Sequence, residues 1–250
     1  MAITIKTQDQ IEKMRVAGGI LIDLIDILEE MIKPGVTTDE LDKVAEDFIR
    51  SRGAEPSFLG YGGYPKTLCT SVNEEIVHGI PSSRKLKNGD IISIDMGAYI
   101  NGYHGDCART YGVGEISEAD RKLIEVTRQS FFEGIKFAKA GNHLYEISAA
   151  VQDYAESFGF GVVRDYVGHG IGRNMHEDPS IPNYRQMGRG PKLQKGMVLA
   201  IEPMITAGTY KCRVLKDGWT AVTRDGSNAA HYENTVLITD GEPELLTFRK

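Results

Sequence analysis

A duplicated α+β domain is the fold class that this chain predicts, and three observations predict it. Lys33, Gly35, Glu40, Asp47, Ser51 and Gly53 return 106 positions later (33 to 139) as Lys139, Gly141, Glu146, Asp153, Ser157 and Gly159. Leu86 to Asp95 aligns with Leu193 to Glu202, an apolar run ending in a carboxylate in each case. His78-Gly79-Ile80 has its counterpart in His169-Gly170-Ile171. Chance could produce one such match; three in the same order point to duplication. The expected halves, about 1–115 and 116–250, form a single domain, each contributing helices, a His-Gly segment and a carboxylate-bearing sheet edge. A chain of 250 residues is long enough to bury one sizeable core.

The elements follow in order. Thr7-Gln8-Asp9-Gln10 reads as a capping box, followed by Ile11, Met14, Leu21, Leu24, Ile25, Leu28 and Ile32 at helical spacing. Lys33-Pro34-Gly35 stops that helix. A second box, Thr37 to Glu40, opens a helix through Leu41, Val44, Phe48 and Ile49 that ends near Gly53. A third helix begins after Ser117 and runs toward Lys139; a fourth carries Ile147, Val151, Tyr154 and Phe158 and stops at Gly159. Strand patterns cover 90–100, 103–111, 197–206 and 234–239.

Composition narrows the function. A net charge of −6 gives no basic stripe for nucleic acid. The most apolar stretch, Ile20 to Leu28, is broken by Asp23 and Asp26, so no membrane span is expected. The start of the chain lacks a charged-then-apolar signal pattern, and a cytoplasmic location is expected. Cys69, Cys107 and Cys212 are scattered without a CxxC pair, which argues against disulfides and zinc fingers.

The acids carry the chemistry. Asn101-Gly102 is a two-residue hairpin signal. That turn sets residue 97 opposite 106, so Asp95 and Asp106 share a sheet face as diagonal neighbours. A buried, unpaired carboxylate costs several kcal/mol and needs a partner or a metal. Either Asp alone reads as a turn or strand-end residue; the shared parity favours a common cation. Glu202 is the repeat counterpart of Asp95, and Glu233 precedes a strand that can pair beside it, though a solvated strand-end acid is an equal reading there. Clustered acids need positive charge between them, which two metal ions supply. His169 lies in Gly168-His169-Gly170-Ile171-Gly172, read as a flexible loop that leaves the imidazole accessible. His176 follows at an odd separation, which in extended chain puts the two rings on opposite faces. His104 and His231, beside the acids, read as bystanders, and His143 as structural.

Asp95 and Asp106 in DMGAYINGYHGDCART, His169 and His176 in GHGIGRNMHEDPSIPNY, Glu202 in AIEPM and Glu233 in HYENT resemble the type I methionine aminopeptidases. The resemblance spans nearly the whole chain. It implies the pseudo-twofold "pita-bread" fold, with an antiparallel sheet and flanking helices. It implies five ligands to two divalent ions: Asp95, Asp106, His169, Glu202 and Glu233. It also implies that His78 and His176 contact substrate and its developing oxyanion. A methionine pocket maps to Tyr61, Tyr64, Cys69 and Trp219, with Phe58 and Met175 as further wall positions.

The carboxylate-rich donor set suits Co, Mn, Fe or Zn. In this reading the ions activate a water, Glu202 shuttles its proton, and initiator methionine leaves nascent chains whose second residue is small. The expected partners are those N-termini and, transiently, the ribosome; a monomer is expected. An Xaa-Pro aminopeptidase or prolidase of the same fold is the nearest alternative, and a non-catalytic binding protein of that fold is another.

Overall fold

The computed structural model describes residues 3–249. Four helices form where capping and periodicity place them. Helix α1 (Gln8–Met31) and helix α2 (Thr38–Ser51) both begin in complete capping boxes, at Thr7/Gln10 and Thr37/Glu40. Ser117 caps helix α3 (Glu118–Ile135), and the Glu146 carboxylate accepts from the His143 backbone N–H at the start of helix α4 (Leu144–Ser157). Helix α3 stops short of the expected Lys139. Its last turn tightens through bonds from Phe137 N–H to Gly134 O and Ala138 N–H to Ile135 O. The chain then gives its backbone to Thr239 and Leu193 instead, through Ala140 and Gly141. Among the described residues no helix is long and apolar enough to cross a membrane.

A nine-stranded antiparallel sheet runs through the centre. Its spine starts at Ile91–Ile100, followed by Tyr103–Gly112, Glu233–Leu237, Val198–Ile201, Gly168–Gly170 and Glu177–Ile181. Glu55–Pro56 and Leu68–Val72 pair with the outer edge of Ile91–Ile100. The first hairpin has the register its turn dictates, with Gly97 opposite Asp106 and Ile100 opposite Tyr103. Asn101 and Gly102 both take positive φ, 54° and 82°, as a type I′ turn requires.

The helices cover one face. Ile92, Ile94 and Met96 pack with Leu21, Leu24, Leu28 and Leu41 of α1 and α2. Phe131, Leu144 and Ile147 of α3 and α4 pack with Leu199, Ile201 and Val236. By the two-residue period of a strand, Asp95 between Ile94 and Met96 turns to the opposite face. The apolar helix side thus forces the acids toward the other one.

The stretch expected as one strand over 197–206 is two. Val198–Ile201 stays in the central sheet, whereas Met204–Thr206 pairs with Ala229–His231 and Gly161–Val162 in a separate sheet. Pro203 has no N–H to continue the ladder, so the chain leaves the sheet immediately after Glu202. Corresponding backbone bonds recur in the two halves. Gly35 N–H donates to Leu86 O at 2.8 Å, and Gly141 N–H to Leu193 O at 2.9 Å; the return bonds, Leu86 N–H to Val36 O and Leu193 N–H to Asn142 O, are both 2.8 Å.

The strand Tyr103–Gly112 pairs with Glu233–Leu237 from late in the chain, with Ala108 opposite Glu233. Arg109 fastens this seam. Its guanidinium is buried, donates to the carbonyls of Ala108, Glu233 and Thr247 and to Asn234 Oδ1, and lies 4.4 Å from the Tyr232 ring centre. Removing a donor from buried acceptors costs about 1–3 kcal/mol for each one stranded. Arg109→Met is therefore expected to lower the unfolding free energy by at least about 2 kcal/mol in urea titration. A change near zero would mean that the seam does not depend on Arg109.

Candidate metal centre and substrate pocket

The two acids of the first hairpin abut. Asp95 lies in the strand between Cys69 and Ala108 in register, one diagonal step from Asp106, whose charge raises its carboxyl. Asp106 is locked by Thr235: its N–H donates to Thr235 Oγ1 at 3.0 Å, and the Thr235 hydroxyl donates to Asp106 O at 2.9 Å. Glu233 opens the adjoining strand, fully buried, and Glu202 stands at the strand break before Pro203.

His169 completes the group. Its Nδ1 lies 2.9 Å from Gly170 O, an acceptor, so Nδ1 carries the proton and Nε2 presents a lone pair. That Nε2 is 3.6 Å from Asp106 Oδ2 and 3.6 Å from Glu202 Oε1. Ligand atoms of Asp106, His169 and Glu233 all lie within 4.8 Å of one another.

Electrostatics makes this cluster costly unless cations enter it. Burial and mutual repulsion push the carboxyls of Asp95, Glu202 and Glu233 far above the usual carboxylate range. Burial pushes Asp106 up to about 8. Asp95 Oδ1, Asp106 Oδ1 and Glu233 Oε1 are buried without a hydrogen-bond partner. Buried oxygens are almost always satisfied, so these unpartnered ones, with ligand atoms of Asp106, His169 and Glu233 grouped together, fit the coordination of hard or borderline divalent ions. Burial also lowers the pKa of His169 to about 4, leaving it neutral and able to ligate at pH 7.

Beside the acids is a cavity of about 160 Å³. That is well below the roughly 300–1,000 Å³ of typical small-molecule pockets, a size for one side chain. Every residue expected at the site lines it: the four acids and the histidine of the ligand set, His78 and His176, and Phe58, Tyr61, Tyr64, Cys69, Met175 and Trp219. Phe58, Tyr64, Cys69 and Met175 form one buried apolar cluster, with Trp219 and Ile80 packed on it. Tyr64 is more buried than a loop aromatic suggests. Its hydroxyl donates to Leu68 O or Gly79 O, and its ring meets Trp219 edge-on at 5.1 Å.

The histidine geometry corrects two sequence expectations. His169 is not on an open loop: Gly168–Gly170 is a strand and the imidazole is 7% exposed. Glycine at 168 and 170 serves close packing, since a Cβ there would lie 2.4 Å from Ala200 O and 2.2 Å from Asp178 O. Nor do His169 and His176 sit on opposite faces, because their ring centres are 4.2 Å apart. The chain between them turns rather than extends, and the ladder shifts register between His169 and Gly170.

His176 Nδ1 is 2.8 Å from the Tyr61 hydroxyl. With Tyr61 donating, Nε2–H is left to face the cavity. His78 takes φ 61°, a left-handed backbone unusual outside glycine, and is held there by the following Gly79, whose carbonyl accepts from Thr70 N–H at 2.7 Å. Burial lowers both His78 and His176 to about 4. Sequence reasoning passed over Tyr166, which meets His78 edge-on at 5.3 Å, and set aside His231, whose Nε2 is 3.7 Å from Glu202. His104 stays outside the acid group, with Nδ1 at 2.9 Å from the Ser57 hydroxyl.

Residues 12–240 match the model of metallopeptidase family M24. A methionine aminopeptidase of Clostridium acetobutylicum is 60% identical, with 98% of each chain covered. The crystal structure of a methionine aminopeptidase from Rickettsia prowazekii superposes with a TM-score of 0.97 at 43% identity, covering 99% of this chain and 100% of that one. A prolidase from Pyrococcus furiosus also shares the fold, with a TM-score of 0.75 at 26% identity, but only 66% of its chain is covered.

A pH signature follows from the acid cluster. In metal-free protein His78, His169 and His176, held near 4 in the fold against an ordinary 6.5, have lost most of their protons in the unfolded chain as well by about pH 7. Above that, Asp106 keeps a proton in the folded state up to about pH 8 that the unfolded chain has already lost. A folded state that binds more protons loses stability as pH rises. Metal-free protein is expected to become less stable between pH 7 and 8 in urea titrations, and metal-loaded protein to lose this slope. A stability that rises across that window in metal-free protein would contradict the arrangement of protonated acids.

Proposed function

The chain belongs to metallopeptidase family M24, and from that premise we propose that it is a methionine aminopeptidase acting on new polypeptides whose second residue is small. The observation that carries this reading is the adjacency of an acid cluster to a single-side-chain pocket walled by aromatic rings and sulfur. An unbranched thioether packs well against such walls, and a charged side chain would be desolvated there without a partner.

Asp95, Asp106, His169, Glu202 and Glu233 would hold two divalent ions, Mn, Fe, Co or Zn. When bound, such ions act as Lewis acids that lower the pKa of water and polarise a carbonyl. The chain's own residues do the rest. Once cations occupy the cluster Glu202 would be ionised, and its carboxylate, 3.7 Å from His231 Nε2, takes a proton from the attacking water and returns it to the leaving amine. His78 and His176, neutral at pH 7, offer N–H groups to the oxygen that becomes negative at the scissile carbonyl. Phe58, Tyr64, Cys69, Met175 and Trp219 hold the methionine side chain and exclude water, while Tyr61 orients His176. The two halves, about 1–115 and 116–250, read as a duplication, each supplying acids to the shared site. The enzyme would act in the cytoplasm as a monomer, meeting nascent N-termini with transient ribosome contact.

Peptide release assays test this directly. Met-Ala-Ser should be cleaved efficiently, Met-Leu and Met-Lys peptides poorly, and Ala-Pro or Leu-Ala peptides little. Turnover of Ala-Pro peptides above Met-Ala-Ser would favour the prolidase-type alternative. His78→Ala and His176→Ala are expected to retain bound metal but lower kcat by roughly 10²–10³, the usual cost of losing one oxyanion donor. Trp219→Ala should raise KM for Met peptides with metal content unchanged. Metal loss in the His176 variant with none in His169→Ala would mean that the two roles are exchanged.

A further inference from the structure

The segment ahead of α1 reaches across the molecule to the turn that carries His176. Lys6 N–H donates to Gly196 O at 2.8 Å, which lays residues 4–6 beside the central sheet. From there Lys6 Nζ donates to Glu177 Oε2 at 2.8 Å, and the Thr4 hydroxyl donates to the same oxygen at 2.7 Å. Lys6 and Glu177 are both withdrawn from water, with side chains 4% and 7% exposed. The other carboxylate oxygen, Oε1, accepts from Asn174 N–H at 3.2 Å and so closes the turn on itself. His104 N–H donates to Gly172 O at 2.9 Å and fixes the start of that turn. Gly172 leaves room for the pair, since a Cβ there would lie 2.7 Å from both Glu177 Oε1 and Lys6 Cε.

Surface ion pairs contribute little, but a pair this buried is costly to form and strongly felt when one member is removed. Its location decides what it does. Glu177 is bonded to His176 in sequence, and the turn it closes, 172–177, carries both His176 and Met175. The ladder pairs Glu177 with Gly170 but leaves residues 171–176 outside it, and its register shifts between His169 and Gly170. Among the described residues, the His176 imidazole is held on the cavity side by the hydroxyl of Tyr61, a residue 46% exposed, and by its contact with the His169 ring. An imidazole that must meet a developing charge needs placement to within about 0.5 Å, which an exposed tyrosine alone does not supply.

We propose that Lys6 is a positioning residue for His176: through Glu177 it locks the 172–177 turn so that the imidazole is aimed at the substrate carbonyl before substrate arrives. Lys6 and Thr4 lie outside the residues that match the family model, 12–240, so this part of the site is supplied by the segment preceding the matched region. The proposal rests on the reading of His176 as an oxyanion donor.

Steady-state release of Met from Met-Ala-Ser, with bound metal measured on each protein, tests it in a double-mutant cycle. Lys6→Met is expected to lower kcat about 10-fold with KM changed less than twofold and metal content unchanged, and Lys6→Arg to recover most of the loss. In the His176→Ala background, Lys6→Met should change kcat less than twofold, because the residue it aims is already gone. Amide exchange over 172–177 should quicken in Lys6→Met while the 91–112 hairpin is unaffected. If Lys6→Met fails to fold, Thr4→Val, which removes one bond to the same oxygen, should show the same pattern at smaller size. A full additional 10-fold loss in the His176→Ala background, or a loss of metal in Lys6→Met, would overturn the proposal. A His176→Ala protein with wild-type kcat would overturn the oxyanion reading beneath it, a separate outcome.

Discussion

Four carboxylates buried within a few ångströms of one another cannot all be ionised in a dry site, and that constraint organises the molecule. Among the described residues no lysine or arginine pairs with Asp95, Asp106, Glu202 or Glu233; buried Arg109 spends its donors on the carbonyls of Ala108, Glu233 and Thr247 and on Asn234. Three of the four carry a buried oxygen without a hydrogen-bond partner. An arrangement this unfavourable persists only if something that binds the folded state repays it; in the proposed reading, divalent cations held by these oxygens and by the Nε2 of His169 would do so. The site therefore has to be rigid before it is filled, and the surrounding bonds serve that end.

Each half of the chain contributes through a different local device. In the first, an Asn-Gly turn fixes a register that sets Asp95 and Asp106 on one face. In the second, Pro203 ends a strand so that Glu202 stands at the sheet's break. Thr235 clamps Asp106 across the seam of Tyr103–Gly112 with Glu233–Leu237, and Arg109 holds the same seam from the other side. The apolar pocket uses the remaining open side. Tyr64, Cys69 and Met175 are buried against one another, and Trp219 closes over them. The acid cluster and the apolar pocket thus share walls, which in the proposed reading ties side-chain recognition to the position of the scissile bond.

Much of this was legible in the sequence because it rests on short-range rules. Capping boxes gave the starts of α1 and α2, and the turn dipeptide gave the parity of Asp95 and Asp106. The repeat paired Glu202 with Asp95. The family resemblance supplied what parity could not, namely that His169, Glu233, His78 and the aromatic residues converge on one cavity. What stayed hidden depends on departures from regular geometry. The proximity of His169 and His176 needs a register shift and a turn that no period of two reveals. The strand break at Pro203 was masked by apolar residues on both sides of it. Tyr166 beside His78 and Lys6 beside Glu177 are tertiary contacts between segments far apart in sequence, 88 and 171 positions respectively, counted from 78 to 166 and from 6 to 177.

The account's central claim is that the buried acids exist to hold catalytic cations. The most direct measurement is to strip the protein with a chelator, verify bound metal by elemental analysis, and titrate Mn or Co back while following methionine release from Met-Ala-Ser. Activity should be absent in the stripped protein and should rise in step with metal bound, and Asp106→Asn or Glu233→Gln should bind less metal and recover less activity. Full turnover by protein carrying no metal would contradict the claim outright.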